Sequence, residues 1–199
     1  RQRQMCISDR GDFDQVDLSL YGIDYRLAKQ DGEFWIHARN PETAEQSSDE
    51  VVMTTGSPHF QAYWTESGPG RKLALFPFIF QLAEQRWIPF DSLVISPPGL
   101  QQLSGEGGEW NRVCIHCHAS GPEPRALDLA RIDSQAAEFG IACESCHGPG
   151  EEHVRLSRSP LRRYGLHFGG APDQSIINPA RLEALSSAQV CGQCHAVQD

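Results

Sequence analysis

Lysine, methionine and long apolar runs are what this chain has little of. Of its 17 basic residues only Lys29 and Lys72 are lysines, and the other fifteen are arginines. Met5 and Met53 are the only methionines. No run of 18 apolar residues occurs, which excludes a membrane-spanning helix. The longest apolar run, Leu73 to Phe80, is strand-sized and is broken by Pro77. Positive charge is in short supply as well. The formal net charge of -9 argues against a nucleic-acid partner, which would need a basic face, and against anionic membrane surfaces. An apolar share of 39% is low for a packed domain, while Gly 18 and Pro 13 point to a loop-rich chain. Together these suggest a core built in part from something other than side chains.

The length of 199 residues suits one domain or two small ones. We expect an α+β chain with much irregular structure: a β-rich region over 1–98 that packs on a cofactor-binding region of loops and short helices over 99–199. Tyr21 to Lys29 and Glu33 to Arg39 read as two strands around the hairpin signal Gln30-Asp31-Gly32. Arg71 to Gln81 and Gln85 to Phe90 read as two more. Asn40 to Glu50 is polar and contains Pro41, so it reads as a surface loop. Ser96-Pro97-Pro98-Gly99 marks the boundary, followed by a glycine-rich turn over Gly105 to Gly108. Beyond it, Glu151 to Ser157 looks helical. Asn178-Pro179 supplies an N-cap and a first-turn proline for a helix running through Leu182 and Leu185 towards Cys191.

Chemistry concentrates in the cysteines. Six of the seven form three pairs, each followed by histidine: Cys114-Ile115-His116-Cys117-His118, Cys143-Glu144-Ser145-Cys146-His147 and Cys191-Gly192-Gln193-Cys194-His195. Each matches the attachment signature for c-type haem. Two thiols three apart on a helical turn reach the two vinyl groups on one porphyrin edge, and the adjacent histidine offers its imidazole to the iron. At this composition one such pentapeptide arises by chance about 0.01 times per chain, so three are not accidental. The competing reading is a ribbon-type zinc site from Cys114, Cys117, Cys143 and Cys146, which leaves Cys191 and Cys194 without a role. A disulfide framework would not normally repeat partners three apart. Cys6 stands outside the motifs, as a thiol or as a partner for another chain.

Three covalent haems would use His118, His147 and His195 as proximal ligands. The eight histidines then leave His37, His59, His116, His153 and His167. Two methionines cannot serve three irons, so bis-histidine ligation and low reduction potentials are expected. His153 is the first distal candidate, because the Gly148-Pro149-Gly150 turn can pivot a new helix across a haem. His59 in Gly56-Ser57-Pro58-His59 is the second and His167 the third. His116 could serve a neighbouring haem, and His37 in its strand reads as structural. Arg112, Arg125, Arg155, Arg162 and Arg163 can pair with haem propionates or stay solvated. The aromatic residues Phe60, Tyr63, Trp64, Phe76, Phe78, Phe80, Trp87 and Trp110 fit a sheet core better than porphyrin faces.

The run from Phe139 to Val154, through Cys143-Glu144-Ser145-Cys146-His147-Gly148-Pro149-Gly150, resembles multihaem cytochromes of the c554-like group, especially those fused to tetratricopeptide repeats. Gln85 to Pro89, Glu109 to Arg112 and Val190 to His195 are similar too, and the likeness covers most of 55–199. The resemblance implies periplasmic or extracellular electron transfer, bis-histidine haems in closely stacked pairs, and distal roles for His153 and His59. The family usually carries a further motif upstream of the β region, where this sequence has only Cys6.

The expected function is therefore electron transfer through three closely spaced haems, since three motifs within about 90 residues cannot lie far apart. Redox proteins are the expected partners, and copies of the same chain stacked end to end are a further expectation from the nearness of the third motif to Asp199. The alternative is an enzyme with one open-coordination haem acting on a nitrogen oxide or peroxide, although no variant such as Cys-x-x-Cys-Lys is present. No signal peptide is visible and the first residue is Arg1, so the chain reads as a trimmed product or a segment of a longer protein.

Overall fold

The computed structural model describes residues 11–68, 70–92, 110–125 and 132–195. The expected boundary at Ser96 to Gly99, the turn at Gly105 to Gly108, and Cys6 lie outside the described residues. Two compact units emerge: Arg1–Ile115 with Glu123–Gln135, and His116–Pro122 with Ala136–Asp199. The division falls inside the first cysteine motif. No described helix is long and apolar enough to cross a membrane.

The first unit is a seven-stranded antiparallel meander, with strands in sequence order across the sheet. They are β1 (Val16–Leu20), β2 (Ile23–Gln30), β3 (Glu33–Arg39), β4 (Gln46–Gly56), β5 (Phe60–Glu66), β6 (Leu73–Gln81) and β7 (Arg86–Pro89). The β2–β3 hairpin turns where expected, with Asp31 and Gly32 both at positive φ, the backbone of a tight primed turn. A matching turn at Tyr21 and Gly22 precedes it. The expected strand over Tyr21 to Lys29 therefore starts two residues later, and β1 stands before the turn. The polar stretch Asn40 to Glu50 is a loop only in part. Asn40 caps a tight turn by accepting from the backbone N–H groups of Glu42 and Thr43, and Gln46 to Glu50 then pair with β3. Polar side chains fill both faces of that strand segment, so it carries no alternation to read.

β4 pairs with β3 through its first half and with β5 through its second. The sheet curls there, and residues from the two halves of the meander meet in one core of Phe13, Leu27, Ile36, Tyr63, Phe76, Phe78 and Phe80. Tyr25 of β2 meets Phe76 and Phe78 of β6 edge-on at 5.5 and 5.8 Å. Tyr21 Oη donates to Asp91 Oδ2 at 2.5 Å, joining the β1–β2 turn to the chain beyond β7; that bond holds the Tyr21 phenol above its ordinary pKa. Pro77 sits in the middle of β6 without breaking it. The β5–β6 register shifts between Ala62 and Trp64 at that level, and pairing with β7 begins only at Phe78, so the missing N–H of proline is not required.

Of the aromatic residues expected in a sheet core, Tyr63, Phe76, Phe78 and Phe80 are in it and Trp87 packs against it, whereas Trp64 and Trp110 are buried outside that cluster and Phe60 is only half-buried. Trp64 donates to Thr55 Oγ1 at 2.9 Å and meets Trp110 edge-on at 5.4 Å. Trp110 opens a π-helical turn, Trp110–Cys114, that ends on the first motif cysteine. Its neighbour Asn111 is 1% exposed. Asn111 Nδ2 donates to Arg71 O (2.8 Å) and Ser134 Oγ (3.0 Å), and Oδ1 accepts from Leu73 N (3.0 Å). These bonds fasten the stretch before Cys114 to the start of β6.

The described residues of the second unit include most of a two-stranded ribbon, β8 (Ala119–Glu123) with β9 (Gln135–Phe139), of which Glu123 and Gln135 belong to the first unit, and five short helices. They are α1 (Ile115–His118, which begins in the first unit), α2 (Glu144–His147), α3 (Glu151–Ser157), α4 (Pro160–Gly169) and α5 (Ala184–His195). α3 has the expected limits. The helix expected from Pro179 is shorter: Asn178 Oδ1 caps Ala180 N at 3.1 Å, but only the 3-10 turn Pro179–Arg181 follows. Leu182 is extended and α5 starts afresh at Ala184.

Replacing Asn111 by Ala strips the partner from the backbone N–H of Leu73 in a buried setting. Urea unfolding of the full chain should show a loss of about 1–3 kcal/mol.

Candidate haem-binding site

Each motif sits on a helical turn. Cys114 ends the π-helical turn and α1 carries Cys117 and His118. Cys143 flanks α2, with its carbonyl accepting from His147 N at 2.9 Å. Cys191, Cys194 and His195 form the last turn of α5. Positions three apart share a helix face, so each pair of thiols is presented on one side. All six cysteines are thiols rather than disulfides.

Within the second unit the three turns come together. Cys117 Sγ stands 3.9 Å from the carbonyl oxygen of Cys194, and Cys194 Sγ stands 3.9 Å from that of Cys117. The resulting burial, with the Cys117 thiol beside it, pushes the Cys194 pKa up. Gln193 Nε2 reaches Ser145 O of the second motif at 3.5 Å. Ser120, directly after α1 and Ala119, bonds Ser145 Oγ at 2.7 Å and accepts from Ala142 N at 2.8 Å. An open cavity of about 610 Å³ lies among them, lined by His116, Cys117, Ser120, Glu144, Ser145 and Cys194 along with others. That volume is within the usual range of cofactor pockets, about 300–1,000 Å³.

The second motif has the most complete support. His147 Nδ1 lies 2.8 Å from Ile177 O. A carbonyl can only accept, so Nδ1 carries the proton and the Nε2 lone pair is left for a metal. Ile177 N returns a bond to His147 O at 3.1 Å. The turn leaving α2 places Gly148 at φ 70° and ψ -175°, and a Cβ there would come within 3.3 Å of Ile177 Cδ1. Only glycine adopts that conformation without strain. Gly150 N then donates to Glu144 Oε1 at 2.6 Å, folding the Gly-Pro-Gly turn back on α2 before α3 begins. His118 keeps an exposed face, yet the chain packed around its ring lowers its pKa and favours the neutral imidazole that a metal needs.

Among the other histidines, His153 lies on α3, half-buried, with Nδ1 3.1 Å from Asp173 Oδ2. Asp173 also accepts from Arg162 (2.8 and 3.2 Å) and from Ser175 N (2.9 Å) and Oγ (2.6 Å). Arg162 foremost, and then Ser175, hold its carboxyl far below the usual carboxylate range. His167 lies on α4 against the edge of Phe168. His59 is in the β4–β5 hairpin loop of the first unit, where its carbonyl accepts from Leu82 N. His37 bonds Ser48 Oγ (2.8 Å) and Gln30 Nε2 (3.1 Å) across the sheet, a structural setting. Of the propionate candidates, Arg125, Arg155 and Arg162 pair with Glu123, Glu152 and Asp173 respectively. Arg112 and Arg163 are exposed.

Two observations test whether these residues fit a haem. No group of three or more His, Cys, Asp or Glu among the described residues converges as a metal cage. In addition, helices α2 to α5 bury no residue, and their apolar side chains face outward: Leu161 is 84% exposed, Phe168 78% and Leu185 73%. A unit of short helices with so little internal apolar packing needs another apolar body to pack on. Thiol pairs beside imidazoles, with that need, fit covalent haem.

A family model described as cytochrome c554 and c-prime matches residues 101–148, the segment bearing the first two motifs. The match supports a c-type cytochrome. No curated protein and no solved structure matches the chain. Sequence reasoning named the motif cysteines as attachment candidates but did not name Ser120, Asp173 or the Ile177 carbonyl. Asp173-Gln174-Ser175 carried a local turn signal, whereas nothing in a sequence announces a backbone carbonyl as an imidazole partner.

Replacing Gly148 by Ala should destabilise the α2–α3 turn by about 1–3 kcal/mol. Thermal melting of the purified native protein, followed by circular dichroism, measures the loss.

Proposed function

We propose that the chain is an electron carrier holding three covalent haems c, one at each motif, with His118, His147 and His195 as proximal ligands. The observation that carries this reading is the convergence of the three motif turns on one another in a unit with few buried apolar side chains. When bound, haem supplies reversible one-electron chemistry at its iron. The chain supplies the rest. Cys114 and Cys117, Cys143 and Cys146, and Cys191 and Cys194 provide the thioether attachments. Ile177 O keeps the His147 proton on Nδ1. The outward apolar residues of α3 to α5 offer surface that keeps water from the rings.

His153, His59 and His167 are the distal ligands in this reading, which gives three bis-imidazole irons of low potential. The setting of His153, with Nδ1 committed to a carboxylate, favours it first. The resemblance to c554-like multihaem cytochromes supports electron transfer in a periplasmic or extracellular location, with other redox proteins or further copies of the chain as partners.

Mass spectrometry of the intact native chain tests the central statement. The expected result is the polypeptide mass plus three haems, falling to two haems in the Cys143→Ser/Cys146→Ser variant. An unmodified mass defeats the proposal. Redox titration of the same material should give midpoints below that of the standard hydrogen electrode; midpoints all well above it count against bis-imidazole ligation.

A further inference from the structure

The group around Asp173 is more elaborate than a surface ion pair requires. Its carboxylate has 17% of its side chain exposed, and Arg162 has 26%. Five contacts of 3.2 Å or less converge on its two oxygens: two from Arg162, two from Ser175 and one from His153 Nδ1. They link three separate pieces of chain: α3 through His153, α4 through Arg162, and the loop at 173–175. The carboxylate is therefore held in place by Arg162 and Ser175 whether or not His153 is present, and His153 meets an acceptor already positioned. Arg162 donates to both oxygens, which fixes the carboxylate plane as well as its position. Ser175 Oγ, a member of the same network, lies 3.4 Å from that ring nitrogen.

We infer that Asp173 is a positioning residue for a haem iron: it holds the proton of His153 on Nδ1 and fixes the ring so that Nε2 is the nitrogen presented to the metal. The inference rests on the proposed distal role of His153. A carboxylate differs in kind from the backbone carbonyl that serves His147. It withdraws the Nδ1 proton more strongly, gives the imidazole more anionic character and makes Nε2 the better electron donor. Better donation favours ferric iron, so the haem served by His153 should have its potential lowered by Asp173. Arg162 is the counterweight, because its charge limits how much of the carboxylate's negative charge is felt by the ring.

Cyanide binding by the oxidised, haem-loaded full chain tests this, followed by visible and electron paramagnetic resonance spectra. Cyanide must displace the distal imidazole, so its apparent affinity reports how firmly that imidazole is held. In Asp173→Ala we expect one haem to bind cyanide about 10- to 100-fold more tightly than in the unaltered chain, with its midpoint raised and the other two haems unchanged. Asp173→Glu should recover part of the difference. Asp173→Asn keeps the shape and exchanges the charge for a neutral acceptor; it should move in the same direction by a smaller factor, and it replaces the alanine variant if that one does not load haem. His153→Ala should open one haem outright, with a high-spin ferric signal.

The failures are distinguishable. If His153→Ala leaves all haems low-spin and resistant to cyanide, the distal assignment itself is wrong. If His153→Ala opens a haem while the Asp173 variants keep the resistance and midpoints of the unaltered chain, the assignment stands and the positioning role is overturned.

Discussion

Three helical turns, each bearing two thiols and an imidazole, lie against one another where helices α2 to α5 bury no residue. Much of what is distinctive in the second unit follows from that. Short helices are marginal in water unless they dock an apolar face. Here α4 turns Leu161, Tyr164 and Phe168 outward, and α5 does the same with Leu185. The polar junctions at Ser120–Ser145 and Gln193–Ser145 fix which turns are neighbours, but a few hydrogen bonds contribute only about 0.5–1.5 kcal/mol each. In the proposed reading covalent haem would resolve the imbalance, because each ring would bring a large apolar surface tethered at two points.

The first unit solves its folding problem in the ordinary way. Aromatic residues from both halves of the curled meander fill one core, and its buried Asn111 has three hydrogen bonds within that unit. The chain thus joins a unit stabilised by side-chain packing to one whose helices α2 to α5 bury no residue. The contrast accounts for the modest apolar share of the whole sequence.

Histidine environment sorts the candidates more sharply than histidine count does. His37 is engaged at both ring nitrogens by sheet neighbours. His147 and His153 are each engaged at Nδ1 by an acceptor, a carbonyl in one case and a carboxylate in the other. One committed nitrogen with a known proton position is the arrangement that metal-binding imidazoles share. It arises here from residues 20 to 30 positions away in the sequence, at Ile177 for His147 and at Asp173 and Ser175 for His153.

Local chemistry was readable from residue order alone. The Cys-x-x-Cys-His spacing depends only on the reach of one helical turn, the Asp31-Gly32 turn only on backbone conformation, and the Glu151–Ser157 helix only on a short run following a Gly-Pro-Gly turn. Such features involve neighbours, so the sequence by itself determined them. It did not reveal the strand over Gln46 to Gly56, whose first half is polar on both faces and is set by pairing with β3. Nor did it reveal the break at Leu182, the meeting of Cys117 with Cys194, or the carboxylate behind His153. Those depend on groups distant in the chain and on hydrogen bonds whose partners any polar residue or backbone carbonyl could have supplied; only the tertiary structure selects among them.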